Sequence, residues 1–325
     1  MPNDNGRITT RAHSLLTLRP RRPVSRCHVS AEQDHLIRFL LPHAGVRGVH
    51  VRLQDSWHAL LAHADYPPVA RRLLGEACAA TAMLTSHVKV EGRLSLQLRA
   101  ESAVRLLFAE CTAAGQIRGI VQLEDGGHDA PEALDQLASP LLAITIENPG
   151  LDPREPLRYQ SLVELSSPSL SGVLEDYFRQ SEQLPTRLLL AADGERACGL
   201  MLQKLPGDEG DQDGWDRAGA LFATLGQDEL LAADGPTLLH RLFHEEAPEL
   251  LAGTALAFGC SCSRERVSAM LQSLGEDEAR AAAAETGQAE IQCGFCGRRY
   301  HFPLTEIGVL FQQPPANAPA PDRLQ

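Results

Sequence analysis

Four cysteines near the carboxyl end are the residues whose spacing most clearly indicates chemistry. They form two close pairs, Cys260-Ser-Cys262 and Cys293-Gly-Phe-Cys296, separated by a spacer of thirty residues. Two such pairs supply four thiolates to one tetrahedral ion if the spacer folds back, and zinc is the usual occupant. The sequence therefore predicts one zinc ion per chain, held by all four cysteines. The one-residue gap in the first pair is short for a purely structural site, and it indicates a role beyond structure.

The remaining four cysteines are not expected to take part in this site. Cys78, Cys111 and Cys198 lie in apolar surroundings, which is typical of small core residues. Cys27 lies in a basic segment and has no evident partner there. Eight cysteines with this distribution do not resemble the disulfide framework of a secreted protein, so we expect a reducing, cytoplasmic location.

Composition limits the classes of function. A length of 325 residues predicts about two domains, and a hydrophobic fraction of 43% is enough for a substantial core. The formal net charge of −12 argues against nucleic acid as a main partner. No apolar run approaches the roughly 18–20 residues that a membrane-spanning helix needs, so no membrane association is expected.

Both ends of the chain differ in composition from the middle. Residues 1–32 contain six arginines and few acids, which predicts a disordered basic extension, with an upstream start codon assigned to the gene or an organelle transit peptide as the alternatives. Residues 313–325 are rich in proline and alanine and are expected to form a disordered tail.

Residues 33–204 predict an α+β core domain. Helical stripes of apolar residues cover 68–88 and 169–184. Alternating or apolar runs predict strands at Val49–Leu53, Leu94–Leu98, Val104–Cys111, Gln116–Leu123, Leu141–Glu147, Tyr159–Leu165 and Thr186–Ala191. Strands in succession with few helices between them indicate a mostly antiparallel sheet with helices packed on it. No phosphate-binding loop, nucleophile elbow or dinucleotide fingerprint is present in the sequence.

Residues 205–255 predict an acidic helical linker. Eleven acidic residues stand against only Arg217 and Arg241, yet apolar side chains recur throughout. The apolar residues that could form a client-binding or linker surface are Leu221, Phe222, Leu225, Leu238, Leu239, Leu242 and Phe243. Because like charges repel on the other face, the folded state should depend on docking rather than on intrinsic helicity. His240 and His244 have the spacing of a metal-binding pair, but nothing nearby completes a site, so we expect surface residues.

Residues 256–312 predict a small zinc domain. Ser263 is suited to cap a helix that ends at Gly275, and an alanine-rich helix should follow over Glu276–Glu285. A hairpin is expected over Ile291–Phe302 and a last helix over Thr305–Phe311. With so thin a core, this domain should depend on its metal, since structural zinc contributes on the order of 10–16 kcal/mol.

The cysteine arrangement, with Ser263-Arg264-Glu265-Arg266 after the first pair, resembles the 33-kilodalton heat-shock family of redox-regulated bacterial holdase chaperones. The resemblance covers residues 33 to 311, whereas residues 1–32 have no counterpart in the family pattern. Further matching segments are Glu175-Asp176-Tyr177-Phe178, Ser181-Glu182-Gln183-Leu184-Pro185-Thr186-Arg187, Met201-Leu202-Gln203 and His244-Glu245-Glu246.

The resemblance implies an ATP-independent holdase, not an enzyme, that is inactive while reduced and zinc-bound. It further implies that oxidation pairs Cys260 with Cys262 and Cys293 with Cys296, expels zinc and opens the linker to unfolded client proteins. The active species in the family are commonly homodimers. Four nearby arginines should favour the reactive thiolates, namely Arg264, Arg266, Arg298 and Arg299.

Two other classes of function remain as alternatives. A thiol–disulfide enzyme would place its cysteine pair at the start of a helix, whereas residues 297–302 have the pattern of a strand. A zinc-dependent nucleic-acid module would need a basic surface, but residues 256–312 carry five basic residues against seven acids.

Overall fold

The computed structural model describes residues 34–87, 90–124, 133–150, 156–207 and 210–312. The expected extension (1–32), including Cys27, and the expected tail (313–325) lie outside the described residues. In the described part, mostly antiparallel sheets combine with packed helices, which confirms the predicted α+β class. None of the helices in these ranges is both long and apolar enough to cross a membrane.

The strands and the helices are each numbered in the order in which they occur along the chain. The strands are β1 (His35–Leu41), β2 (Val46–Leu53), β3 (Arg93–Arg99), β4 (Val104–Thr112), β5 (Gln116–Leu123), β6 (Leu141–Asn148), β7 (Leu157–Val163), β8 (Thr186–Ala192), β9 (Ala197–Lys204), β10 (Glu249–Leu250), β11 (Thr254–Ala255), β12 (Ala257–Phe258), β13 (Gln288–Gln292) and β14 (Arg299–Pro303). The α-helices are α1 (Asp55–Leu61), α2 (Pro68–His87), α3 (Leu170–Tyr177), α4 (Gly214–Phe222), α5 (Gln227–Ala232), α6 (Gly235–Phe243), α7 (Arg264–Leu274), α8 (Glu276–Ala283) and α9 (Leu304–Gln312).

The strands form two six-stranded sheets and one hairpin. Sheet A has the order β10-β1-β2-β9-β8, and β11 also pairs with β1. Sheet B has the order β12-β5-β4-β3-β6-β7, in which only the β12–β5 pair is parallel. The hairpin β13–β14 belongs to the carboxyl-terminal region. Two sheets replace the one expected, because a strand pattern indicates which side chains are buried but not which strands pair.

Helix α2 lies between the two sheets and forms the centre of the main core. It is buried along most of its length and packs against strands of both sheets. Its small residues let the sheets approach closely. A Cβ atom added to Gly75 would lie 2.4 Å from the Cβ of Ala192 in sheet A, and one added to Gly119 in sheet B would lie 2.8 Å from Leu74 Cδ1. Since α2 is covered on both sides, each sheet keeps one face turned away from it.

The acidic segment, defined as residues 210–246, packs on the outer face of sheet A. Helices α4, α5 and α6 contribute apolar side chains to a second core cluster shared with β1, β2, β8 and β9. The buried members from the acidic segment are Ala218, Phe222, Leu225, Leu230, Leu238, Leu239 and Phe243. Helices therefore occur within the range 205–255 where the sequence predicts them, although the last residues of this range form the short strands β10 and β11 on the edge of sheet A.

The carboxyl-terminal module, defined as residues 260–312, packs on the outer face of sheet B. Its own core joins α7, α8, α9 and the hairpin. The chain between the two outer layers, residues 249–259, is called the strap here. The strap pairs first with β1 of sheet A and then, through β12, with β5 of sheet B. The acidic segment and the module therefore lie on opposite outer faces, joined by the strap.

Several element boundaries differ from the sequence-based expectation. Strands β1 and β9 were not assigned from the sequence. Strand β9 is buried on both faces, so its sequence lacks a clear alternation of apolar and polar residues. The strand expected at Tyr159–Leu165 begins earlier, at Leu157. The helix expected over 169–184 is α3 followed by a π-helical turn, Phe178–Glu182, which ends where Gln183 adopts a φ of +55°.

Candidate metal centre

The sulfur atoms of Cys260, Cys262, Cys293 and Cys296 converge at one point, all within 4.8 Å of one another. Contacts cross between the pairs: Cys260 Sγ lies 3.7 Å from Cys293 Sγ, and Cys262 Sγ lies 3.3 Å from Cys296 Sγ. Four thiolates about 2.3 Å from a tetrahedral ion would be separated by about 3.8 Å. The donor set and its spacing therefore fit a metal ion that prefers sulfur.

Local backbone features bring the two pairs together. The Ser263 hydroxyl accepts a hydrogen bond from Arg266 N and starts α7 immediately after Cys262. In the second pair, Gly297 N donates to Cys293 O at 2.9 Å, and Cys293 N donates to Arg298 O at 2.9 Å. This tight turn requires a φ of +66° at Gly297, a conformation that glycine adopts without strain.

Tyr300 supplies a hydrogen bond to the cluster that the sequence did not indicate. Its hydroxyl donates to Cys262 Sγ at 3.2 Å. Burial acts to raise the pKa of Cys262, but hydrogen bonds from Tyr300 and the neighbouring cysteines outweigh it and lower that pKa to about 7. Burial raises the pKa values of Cys260 and Cys296. Cys262 is thus the thiol of this group whose pKa is lowered towards neutrality.

The arginines near the cysteines have different roles. The hydrogen bond between Arg298 and Tyr300 contributes most to the raised pKa of Arg298, and the electrostatic interaction of Arg298 with Cys262 and Cys296 adds to it. Arg264 instead pairs with Glu306 at 2.7 Å, and Arg299 pairs with Glu290 at 3.2 Å. Arg298 is therefore placed to favour the thiolate form of these cysteines, as expected, whereas Arg264 and Arg299 are paired with carboxylates.

The residues between the cysteines of each pair hold the module on sheet B. Ser261, inside the first pair, accepts a hydrogen bond from Arg118 Nη1 at 2.9 Å. Phe295, inside the second pair, lies under the Arg118 guanidinium at 4.7 Å and edge-on to Phe108 at 5.7 Å. Arg118 is fixed in turn by the buried Glu110, with Nε to Oε1 at 2.9 Å. One arginine of the core domain thus contacts both cysteine loops.

These contact residues were not identified from the sequence. Arg118 lies on β5, where only the alternation of apolar and polar residues could have shown that it faces outward. Its proximity to the cysteines depends on β12 pairing with β5, a contact between residues about 140 positions apart. The identity of residues 261 and 295 was visible, but their partners were not.

The three other described cysteines lie away from the cluster. Cys78, Cys111 and Cys198 are buried, and Cys78 and Cys111 belong to the main core. Burial raises the pKa of Cys111 and of Cys198 to about 12, so both thiols stay protonated at neutral pH.

The seven apolar residues predicted as a linker surface all lie in the acidic segment on sheet A. Phe222, Leu225, Leu238, Leu239 and Phe243 are buried, whereas Leu221 and Leu242 are half-buried. Phe243 stacks on Phe39 of β1 with ring centroids 6.2 Å apart. His240 and His244 are exposed and stack on each other.

The geometry weakens the alternative classes of function. The chain after Cys296 forms β14, whereas a thiol–disulfide enzyme requires a helix there. The basic residues of the module are also engaged locally: Arg264, Arg280 and Arg299 pair with carboxylates. The fold and site define a two-sheet α+β domain that carries a small module with four clustered cysteines, a donor set that fits a metal ion.

Comparison with known proteins gives the family. A family model described as Hsp33 protein matches residues 34–303. The 33 kDa chaperonin of Ectopseudomonas mendocina (strain ymp) is 42% identical over 298 residues, which are 89% of this chain and 99% of that protein. The 33 kDa chaperonin of Nitrosococcus oceani is 38% identical over 281 residues, with 86% and 95% coverage.

A solved structure shows the same fold. The crystal structure of the 33 kDa chaperonin (heat shock protein 33 homologue) of Thermotoga maritima aligns with a TM-score of 0.66 at 21% identity, covering 86% of this chain and 98% of that one. The chain belongs to the Hsp33 family. This membership confirms the family that the sequence motifs indicated. It also confirms the expectation that the chain is a chaperone and not an enzyme.

Proposed function

We propose that this chain is an ATP-independent, cytoplasmic holdase whose activity is switched by oxidation of its four clustered cysteines. The convergence of the four sulfurs within 4.8 Å is the observation that carries the proposal. In the reduced protein Cys260, Cys262, Cys293 and Cys296 would hold one zinc ion. When bound, zinc supplies a common centre that ties the two cysteine loops together.

Oxidation by a peroxide would join Cys260 to Cys262 and Cys293 to Cys296, as the family resemblance implies. For each pair, two thiols lose two electrons and two protons, one S–S bond forms, and one hydrogen peroxide is reduced to two water molecules. Because disulfide sulfurs are poor metal ligands, the two cysteine loops would lose their common centre. The module has a small core of its own, so its fold would then be lost.

Loss of the module's fold would weaken docking of the acidic segment through the strap that joins them. Ser261 and Phe295 are the module's contacts with Arg118, and the strap ends immediately before the first cysteine pair. Strand β12 contributes only two residues to sheet B, and β10 and β11 contribute two each to sheet A. Such short pairings are weak once the chain on one side is disordered. Their loss would free the carboxyl end of the acidic segment.

The opened segment would expose apolar surface to unfolded client proteins. Helices α4 to α6 and the outer face of sheet A would both lose their cover, including Leu239 and Phe243. The net charge of −12 supports proteins rather than nucleic acids as partners. We also propose a homodimer as the active form; exposed apolar side chains on β7, at the edge of sheet B, suit contact with a second copy.

The test combines metal content, thiol content and aggregation of a client. Purified reduced protein should hold one zinc per chain, and peroxide should remove it with the loss of four thiols and the gain of holdase activity. Cys293→Ser should release the metal, whereas the matched control Cys198→Ser should keep it. A full zinc equivalent in Cys293→Ser, or unchanged holdase activity after complete zinc loss, would refute the proposal.

A further inference from the structure

A buried histidine lies between sheet A and the acidic segment. His50 lies on β2, on the face of sheet A that is covered by the acidic segment, and its side chain has no exposed surface. The first turn of α6 covers it so closely that a Cβ atom added to Gly235 would lie 2.7 Å from His50 Nδ1. Within the part of the chain that the structure describes, neither ring nitrogen has a hydrogen-bond partner. The imidazole is therefore sealed from water by the docked segment.

The groups that face His50 do not favour a positive charge there. From β1, the His35 ring lies 6.1 Å away between centroids, and from β2 the buried Arg52 donates to Ala233 O at 2.8 Å. From α6, the Asp234 carboxylate already accepts a hydrogen bond from Thr237 N at 3.0 Å. From β9, the residue paired with His50 is the apolar Leu200. Burial lowers the pKa of His50 to about 3; His35 and Arg52 add to this shift, and Asp234 opposes it.

We propose that His50 makes docking of the acidic segment sensitive to protons, so that acid releases the segment while the cysteines remain reduced and metal-bound. Undocking returns the imidazole to water, where an ordinary histidine has a pKa of about 6.5. The undocked form thus takes up a proton that the docked form excludes. The contribution of neutral His50 to docking is complete above about pH 6.5 and is lost progressively as the pH falls towards about 3.

The expected size of the effect follows from this linkage. Between pH 7.5 and pH 5.5 the undocking equilibrium should shift about tenfold towards the open form. The carboxylates of the acidic segment are the same in the parent and in a His50→Leu variant, so a comparison of the two proteins isolates the contribution of His50. His240 and His244 are exposed on the docked segment and are likewise common to both proteins. The contact between His43 Nδ1 and Glu245 O, at 3.4 Å, is also present in both proteins.

The direct experiment measures opening of α6 by hydrogen exchange in the reduced, zinc-loaded full chain. Observed exchange rates are divided by the intrinsic rate at each pH, which gives an opening constant at pH 7.5 and at pH 5.5. The parent should open about tenfold more at the lower pH, and His50→Leu should remove this dependence. Both proteins share the same cysteine module, so bound zinc measured in each sample controls for loss of metal. The nuclear magnetic resonance titration of His50 in the docked parent should show no protonation down to pH 5.5.

Equal pH dependence in the parent and in His50→Leu would overturn the proposal, as would titration of docked His50 near pH 6.5. If His50→Leu does not fold, the titration of the parent alone decides. Activation of the chaperone by acid rests on the proposed function and is measured separately, as suppression of client aggregation at pH 5.5 without oxidant. Opening without holdase activity would uphold the proton-sensitive docking and contradict the proposed role of the segment.

Discussion

The substitution Phe243→Asp isolates docking of the acidic segment from the chemistry of the cysteines. Phe243 ends helix α6, has no exposed surface, and stacks on Phe39. The Phe39 ring in turn fills the space above Gly48, where an added Cβ atom would lie 2.1 Å from Phe39 Cζ. Phe243 contacts sheet A and no residue of the metal centre, which lies on the far side of sheet B. The substitution should therefore leave zinc binding unchanged.

The burial of Phe243 determines how strongly the substitution should weaken docking of the acidic segment. Truncating a fully buried phenylalanine costs about 3–5 kcal/mol, and a carboxylate placed there adds the cost of an unpaired buried charge. Even about 3 kcal/mol changes the ratio of docked to undocked segment by more than about a hundredfold. Phe243→Ala should show a smaller effect of the same sign, because it introduces no charge.

The assay compares suppression of client aggregation by reduced, zinc-loaded proteins. Phe243→Asp should be active without oxidant, whereas the parent should not. His240→Asp is the matched control, because it places the same carboxylate on an exposed position of the same helix and should stay inactive. If Phe243→Asp retains zinc, is cut more readily by proteases within residues 210–246, and still lacks holdase activity, then opening of this segment is not what activates the chaperone.

Three further outcomes are expected. Phe295→Ala should keep its zinc but lose the contacts with Arg118 and Phe108, so proteases should cut the strap faster than in the parent. The control Leu274→Ala, at an exposed position of α7, should not change the rate of cleavage. In the reduced, zinc-loaded protein, Tyr300→Phe removes the hydrogen bond that the Tyr300 hydroxyl donates to Cys262 Sγ, so a competing chelator should remove zinc from this variant at a lower concentration than from the parent. Chelation of the metal under reducing conditions should unfold α7 to α9 without forming disulfides, and circular dichroism that shows no loss of helix would contradict the dependence of the module on its metal.

The sequence was informative wherever spacing along the chain determines structure. The cysteine spacing predicted the sulfur cluster, Ser263 and Gly275 marked the ends of α7, and the acidic segment was expected to form helices with an apolar face. These features depend on residues close in sequence or on strong ligand chemistry. The fold class followed from the same local patterns.

Long-range contacts could not be predicted in this way. Nothing in the pattern of β5 indicated that Arg118 would meet the loops of both cysteine pairs, because this depends on the pairing of β12. The division into two sheets depends on α2 inserting between them, and an alanine-rich helix gives no signal for that position. His50 lies in an ordinary alternating strand, and only the docked α6 makes its burial evident.

The proposed function requires that the state of the cysteines on one face of the molecule controls a segment docked on the opposite face. Hydrogen exchange of the reduced, zinc-loaded protein and of the oxidised, zinc-free protein tests it most directly. We predict that oxidation removes protection from the module, from the strap and from α4 to α6, while α2 between the sheets stays protected. If the oxidised protein has lost zinc and holds clients while α4 to α6 remain fully protected, this coupling does not operate.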